Sequence, residues 1–145
     1  MPVVIALNVT YVPWEIEGRA AADHGEPAMV LRFLQVAREL GLKYQFFVSQ
    51  DVRRAFPKLV DTILNEAHEL DVPPANQASF LRPEEGKTLR AWANQVSDDP
   101  RTATVIAIEP GFWGQQDANL SVFRGLVQRL LAGGQQFRTL RELAP

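Results

Sequence analysis

The stretch LKYQFFVSQDVRRAFPKLVDTILNEAHE, residues 42–69, decides the fold class. Tyr44–Val48 is a short apolar run without alternation, the pattern of a strand covered on both faces. Ser49 can cap a helix through Asp51–Ala55, because its hydroxyl can accept from an amide of the first turn. Pro57 then restarts a helix at the position where its missing N–H costs nothing, with Leu59, Val60, Ile63 and Leu64 forming the inner face. A short strand over Glu69–Val72 is expected to follow. Val3–Asn8 and Thr104–Ile108 read like Tyr44–Val48, and buried strands of this kind imply a parallel sheet.

Working outward, Ala28, Leu31, Leu34, Val36, Ala37 and Leu40 recur at helical spacing, with Pro27 near the start and Gly41 placed to end the helix. That segment is the crossover of a βαβ unit. Pro73-Pro74 ends regular pairing, since neither residue has an amide hydrogen, and opens a polar loop to about Ser79. Pro83 to Val96 reads as a helix with Leu89, Trp92, Ala93 and Val96 inward, which puts Glu84 and Glu85 in its first turn, where negative charge suits the dipole. Ser97-Asp98-Asp99-Pro100 reads as a turn, and Glu109-Pro110-Gly111-Phe112-Trp113-Gly114 as a glycine-punctuated loop on the C-terminal side of a strand, where α/β sheets place their sites. A final helix over about 118–132 ends at Gly133-Gly134, followed by Gln136–Thr139 and a short helical tail.

With 145 residues the chain fits a single domain, 1–145, that buries roughly 70% of its unfolded surface. A net charge of −2 gives no basic field for phosphate backbones, and Arg53-Arg54 with Lys58 reads as one solvated helix face, so nucleic acid is not an expected partner. There is no cysteine, which excludes disulfides and thiolate metal sites. The N-terminus lacks a basic leader and a cleavage site, and no stretch reaches the roughly 20 apolar residues of a membrane helix. A cytoplasmic protein without membrane contact is expected.

Few residues carry chemistry. Asn8 and Thr10 stand at the end of the first strand, where they could hold a ligand or simply satisfy the frayed strand end; neither is a carboxylate base. His68, Glu69 and Asp71 are close in sequence, but strand alternation sends His68 and Asp71 to opposite faces, and the only other histidine is His24. A structural role suits His68 better. No nucleophile elbow is present. Glu109 leaves a buried strand beside Phe112 and Trp113, and a carboxylate with an aromatic platform is one way proteins hold sugars; core or loop packing is the plainer use of both rings.

With these residues in view, the chain resembles the polysaccharide deacetylases of the nodulation-protein type, carbohydrate esterase family 4. Lys43–Val48 resembles the family's Ala-Thr-Phe-Phe-Val strand, Phe56-Pro57-Lys58-Leu59-Val60 the start of its next helix, and Asn65–Leu70 its Glu-Gly-His-Glu-Ile segment. Residues 80–86, Phe-Leu-Arg-Pro-Glu-Glu-Gly, are similar to its Phe-Arg-Pro-Pro-Tyr-Gly motif, and Leu126–Leu143 to its closing helix and strand. Each motif is short; their shared order carries the resemblance.

The resemblance implies a metal that activates water, with two aspartates after the first strand, two histidines after the Gly-His-Glu segment and a later histidine as acid. This chain departs at every one of those positions: Asn8 and Thr10 replace the aspartates, Pro73 and Gln77 the metal histidines, and Glu109 the later histidine. Asn8 cannot deprotonate water, and such a neutral set is poor for a divalent cation. Neither a metal nor another cofactor is therefore expected. Only about 20 residues separate Arg82 from Thr104, where the family inserts further strand–helix units. The fold class is accordingly α/β, a shortened, incomplete (β/α) deacetylase-like barrel or open parallel sheet of about five strands flanked by helices.

The leading functional expectation is a catalytically inactive deacetylase-like domain that binds a carbohydrate-like ligand or a protein partner. Its relic cleft would hold Asn8, Thr10, His68, Arg82, Glu109 and Trp113. One alternative is a hydrolase with replaced, metal-independent chemistry centred on Glu109; another is a purely structural oligomer-forming protein. A homodimer is expected from the open sheet edge and from Trp14, Phe112 and Trp113.

Overall fold

The computed structural model describes residues 2–10, 26–84, 86–98 and 104–143. Tyr11, Trp14, His24, Glu85, Asp99-Pro100 and the side chain of Pro27 lie outside the described residues. The elements run β1 (Pro2–Val9), α1 (Glu26–Leu40), β2 (Gln45–Val48), α2 (Gln50–Ala55), α3 (Pro57–Asn65) and β3 (Glu69–Asp71), then α4 (Leu89–Asp98), β4 (Thr104–Ile108), α5 (Pro110–Gln116), α6 (Ser121–Ala132), β5 (Gln136–Phe137) and α7 (Leu140–Leu143).

All strand pairings are parallel, in the order β3-β2-β1-β4, with β5 also on β1. Val3 pairs with both Thr104 and Phe137, and Ala6 with both Gln45 and Ala107, so β5 and β2 share one edge of β1 while β4 holds the other. Leu81 adds an isolated bridge on the outer side of β4: its N–H donates to the Val105 carbonyl and its carbonyl accepts from Ala107 N–H, both at 2.8 Å. This is the expected parallel sheet of five strands, open among the described residues.

Strand alternation divides the two faces. Val3, Ile5, Leu7 and Val9 enter the hydrophobic core with Phe46, Val48, Ile106 and Ile108, under the helices, whereas Val4, Ala6 and Asn8 turn to the opposite face. Over the core α1 packs on α5 and α4 on α6. Phe33, Trp92, Trp113 and Phe123 meet edge to face there.

Local signals account for most boundaries. Ser49 Oγ accepts from Val52 N–H at the start of α2, Pro57 opens α3, and Gly41 ends α1 in the left-handed conformation at φ +70°. Others need correction. The helix expected from Pro83 begins only at Leu89, because Gly86 takes φ +79° and Thr88 Oγ1 caps the helix by accepting from Ala91 N–H at 3.1 Å. Glu84 is therefore a loop residue, paired with Lys87 at 3.3 Å, and not a first-turn helix charge. The expected loop after Glu109 is the helix α5, since Pro110 sits in its first turn and Trp113 anchors it in the core. Helix α6 starts at Ser121 rather than 118: Leu120 is left-handed, and the buried Asp117 carboxylate accepts from the N–H groups of Val122 and Phe123. Leu31, read at helical spacing, and Leu64, read on an inner face, are exposed, whereas Met29, Val30 and Phe33 join the expected Leu34, Val36 and Ala37 on the inner face of α1.

Candidate functional site

The register of the sheet creates the site. Leu7 pairs with Ile108, so one step further Asn8 stands beside Glu109 at the C-terminal ends of β1 and β4. Asn8 is almost fully buried on the face away from the helices, where an unpaired amide would be costly. The chain beyond β3 supplies its partner. Asn8 Nδ2 donates to Gln77 Oε1 at 2.9 Å, and Gln77 Nε2 donates back to Asn8 Oδ1 at 3.1 Å.

Arg82 closes the ring. Its Nη2 donates to Gln77 Oε1 at 3.0 Å and its Nη1 to Glu109 Oε1 at 3.2 Å, while Asn8 Nδ2 lies 3.4 Å from the same Glu109 oxygen. The Leu81 bridge fixes the backbone next to Arg82 against β4, which is why the guanidinium reaches a residue leaving that strand. The side chains of Arg82 and Glu109 are 40% and 41% exposed, so the ring faces solvent. Phe47, paired with Asn8 across the sheet, stacks on Phe80 with centroids 6.2 Å apart and planes within 9°.

The donor set does not fit a divalent metal. Gln77 Oε1 and Glu109 Oε1 each accept from two N–H groups, and the fixed positive charge of Arg82 lies within hydrogen-bond distance of both. Among the described residues no group of three or more His, Asp or Glu side chains converges on a point. The guanidinium itself supplies the positive charge at this place.

Of the residues expected in the cleft, Asn8, Arg82 and Glu109 meet, and Thr10 is exposed just beyond β1. His68 and Trp113 do not join them. His68 precedes β3 and lies at the opposite, N-terminal end of the sheet, 5% exposed, where its Nδ1 accepts from Tyr44 N–H at 3.0 Å and its ring stacks on Tyr44. Burial first, then the Lys43 charge and last the Arg38 charge push its pKa from 6.5 down to about 4, with Glu66 opposing them. Trp113 is fully buried among Phe33, Trp92 and Phe123, because the turn it was read into is a helix whose inner face it occupies. Only Phe112 of that pair faces out, at 41% exposure. Gln77, read as standing in place of a metal histidine but not among the residues expected to bind a ligand, is brought to Asn8 by the return of the chain over the sheet.

An open parallel α/β sheet, helices on one face and a polar cluster at the strand C-termini of the other, defines an incomplete (β/α) barrel class. No protein-family model and no curated protein matches the sequence. Solved structures do. The peptidoglycan deacetylase PdaC from Bacillus subtilis is similar at a TM-score of 0.61 and 14% identity, over 97% of this chain and 89% of that one. The CE4 domain of a multidomain xylanase from the hindgut metagenome of Trinervitermes trinervoides gives 0.68 and 11%, over 98% and 88%. A CE4 family pseudoenzyme from Bacillus anthracis gives 0.64 and 9%, over 97% of this chain and 64% of that one. The fold is therefore that of the CE4 polysaccharide deacetylases, in shortened form. No described helix is long and apolar enough to cross a membrane.

Proposed function

We propose that the chain is a catalytically inactive deacetylase-like domain that acts by binding a carbohydrate-like ligand on the strand-end face. The observation that carries this reading is the Arg82 guanidinium held between Gln77 and Glu109, where it satisfies the oxygens a metal would need. A ring of amide, guanidinium and carboxylate groups offers paired donors and acceptors to hydroxyl-bearing molecules, with Phe47 and Phe80 alongside. Glu109 is a weak candidate for replaced chemistry, since its Oε1 is occupied by Arg82 and Asn8 and His68 stands at the other end of the sheet. The similar Bacillus anthracis protein is a pseudoenzyme of this fold, and a mutant of it has restored activity, which supports loss of chemistry on a retained scaffold.

Elemental analysis of protein purified without chelator, together with acetate release from a chitooligosaccharide, tests the inactive reading. Near-stoichiometric zinc, cobalt or nickel, or acetate release abolished by Glu109→Gln, overturns it. Titration of the chitooligosaccharide against labelled protein should shift the side-chain amides of Asn8 and Gln77. Silence there, with a protein captured on the same face, moves the reading to a protein partner. A homodimer through the open β3 side, where Leu64 and Val72 are exposed, belongs to the same proposal and is read by light scattering.

A further inference from the structure

At the N-terminal end of the sheet, opposite the polar ring, a cavity of about 340 Å³ lies between the end of α1 and the turn from α3 into β3. That volume stands at the lower end of the roughly 300–1,000 Å³ of small-molecule sites. Ala37, Leu42 and Ala67 give it apolar walls, Lys43 stands at its rim, and His68 lines it.

The imidazole is structural on one side only. Its ring stacks on Tyr44 and its Nδ1 accepts from Tyr44 N–H at 3.0 Å, which fixes the neutral tautomer with the proton on Nε2. Nε2–H has no hydrogen-bond partner among the described residues and, unlike the orphaned Trp113 Nε1 and Gln135 Oε1, is not closed off from solvent. With the residue only 5% exposed, that N–H is a fixed donor on the cavity wall. The N–H groups of Ala67 and His68 donate to the carbonyls of Leu64 and Ile63, so the turn holds it in place.

The charges around the opening do not cancel. Arg38 Nη1 donates to both Glu66 carboxylate oxygens, at 2.7 and 2.8 Å, and neutralises them. Lys43 Nζ donates to the Glu66 carbonyl at 2.8 Å, which leaves its positive charge uncompensated among the described residues and two of its N–H groups to spare. After burial, the Lys43 charge is the largest influence lowering the His68 pKa, so the ammonium acts on this ring.

We propose that this cavity binds a small monocarboxylate with an apolar body, the carboxylate accepting from His68 Nε2–H and pairing with Lys43 while the body rests on Leu42 and the two alanines. One donor and one uncompensated positive charge suit one negative charge, and Glu66 repels a second. The site lies at the other end of the sheet from the ring and is independent of the function proposed there.

Benzoate and benzamide, alike in shape and different in charge, are the probes, each titrated into the full chain at pH 7 and followed by NMR. Benzoate should shift the Leu42 and Ala67 amides and the His68 Nε2 resonance saturably, and benzamide should bind about tenfold more weakly, the value of one charge-assisted contact. Lys43→Met, at an exposed position, should weaken benzoate about tenfold while leaving benzamide binding and Tm unchanged. Failure of benzoate to move these resonances at millimolar concentration overturns the proposal. So does equal affinity of the two probes, or a response of the amides without the His68 Nε2 resonance. Displacement of benzoate by inorganic phosphate at a lower concentration overturns the choice of a singly charged ligand.

Discussion

The two ends of one parallel sheet use polar side chains in opposite ways. At the N-terminal end His68 is sealed between Tyr44 and Phe46, accepts one backbone hydrogen bond and is held neutral. At the C-terminal end Asn8, Gln77, Arg82 and Glu109 form a ring that is half open to solvent and ties together segments distant in sequence. A titratable residue enclosed by rings and satisfied by backbone is structural, whereas the reactive potential of a sheet of this kind lies where its strands end.

The largest expected effect concerns the helix that presents Glu109. Trp113→Ala should destabilise the protein by about 3–5 kcal/mol in urea denaturation, because it empties a fully buried site at the meeting of Phe33, Trp92 and Phe123. A loss below about 1 kcal/mol would mean that Trp113 is not a core anchor.

The N-terminal end should respond to acid. His68 has a folded pKa near 4 and an ordinary value of 6.5, so the unfolded chain takes up its proton first. Its contribution is complete above pH 6.5, declines as pH falls toward 4, and is lost below that. The stability difference between the wild type and His68→Gln should therefore shift by about 3 kcal/mol across this window. A difference independent of pH would contradict a buried neutral imidazole.

At the C-terminal end, a double-mutant cycle of Asn8→Ala and Gln77→Ala should return a coupling of about 1 kcal/mol, since the two amides satisfy each other at a largely buried position. Additive losses would break the ring at its inner side. The Arg82–Glu109 cycle should give less, about 0.2–1 kcal/mol, and shrink at high salt, as both side chains are about two-fifths exposed. Smallest of all, Phe112→Ala should change stability by under about 0.5 kcal/mol, and light scattering of that variant against the wild type tests whether the exposed ring serves self-association.

Local chemistry made much of this legible. The apolar run of β1, the Ser49 cap, Pro57 at the start of α3 and Gly41 at the end of α1 each act within a few residues, so the order of elements and the parallel sheet follow from the chain itself. Three members of the ring were legible: Asn8 and Glu109 both sit where a buried strand runs out, and Arg82 was placed in the cleft from the resemblance of residues 80–86. Trp113 was misplaced because Gly111 and Gly114 look like loop punctuation, yet burial of one large ring is worth more than the propensity cost of two glycines.

By itself the sequence determined a shortened α/β scaffold of parallel strands and helices, and marked the strand ends as the place to look. Tertiary structure decided how the cluster closes, with Gln77 and Arg82 hydrogen-bonded to each other and to Asn8 and Glu109, and that His68 stands at the far end. Those relations join residues tens of positions apart through the path of a loop and the register of strands, and no local periodicity or propensity encodes where such a loop comes to rest.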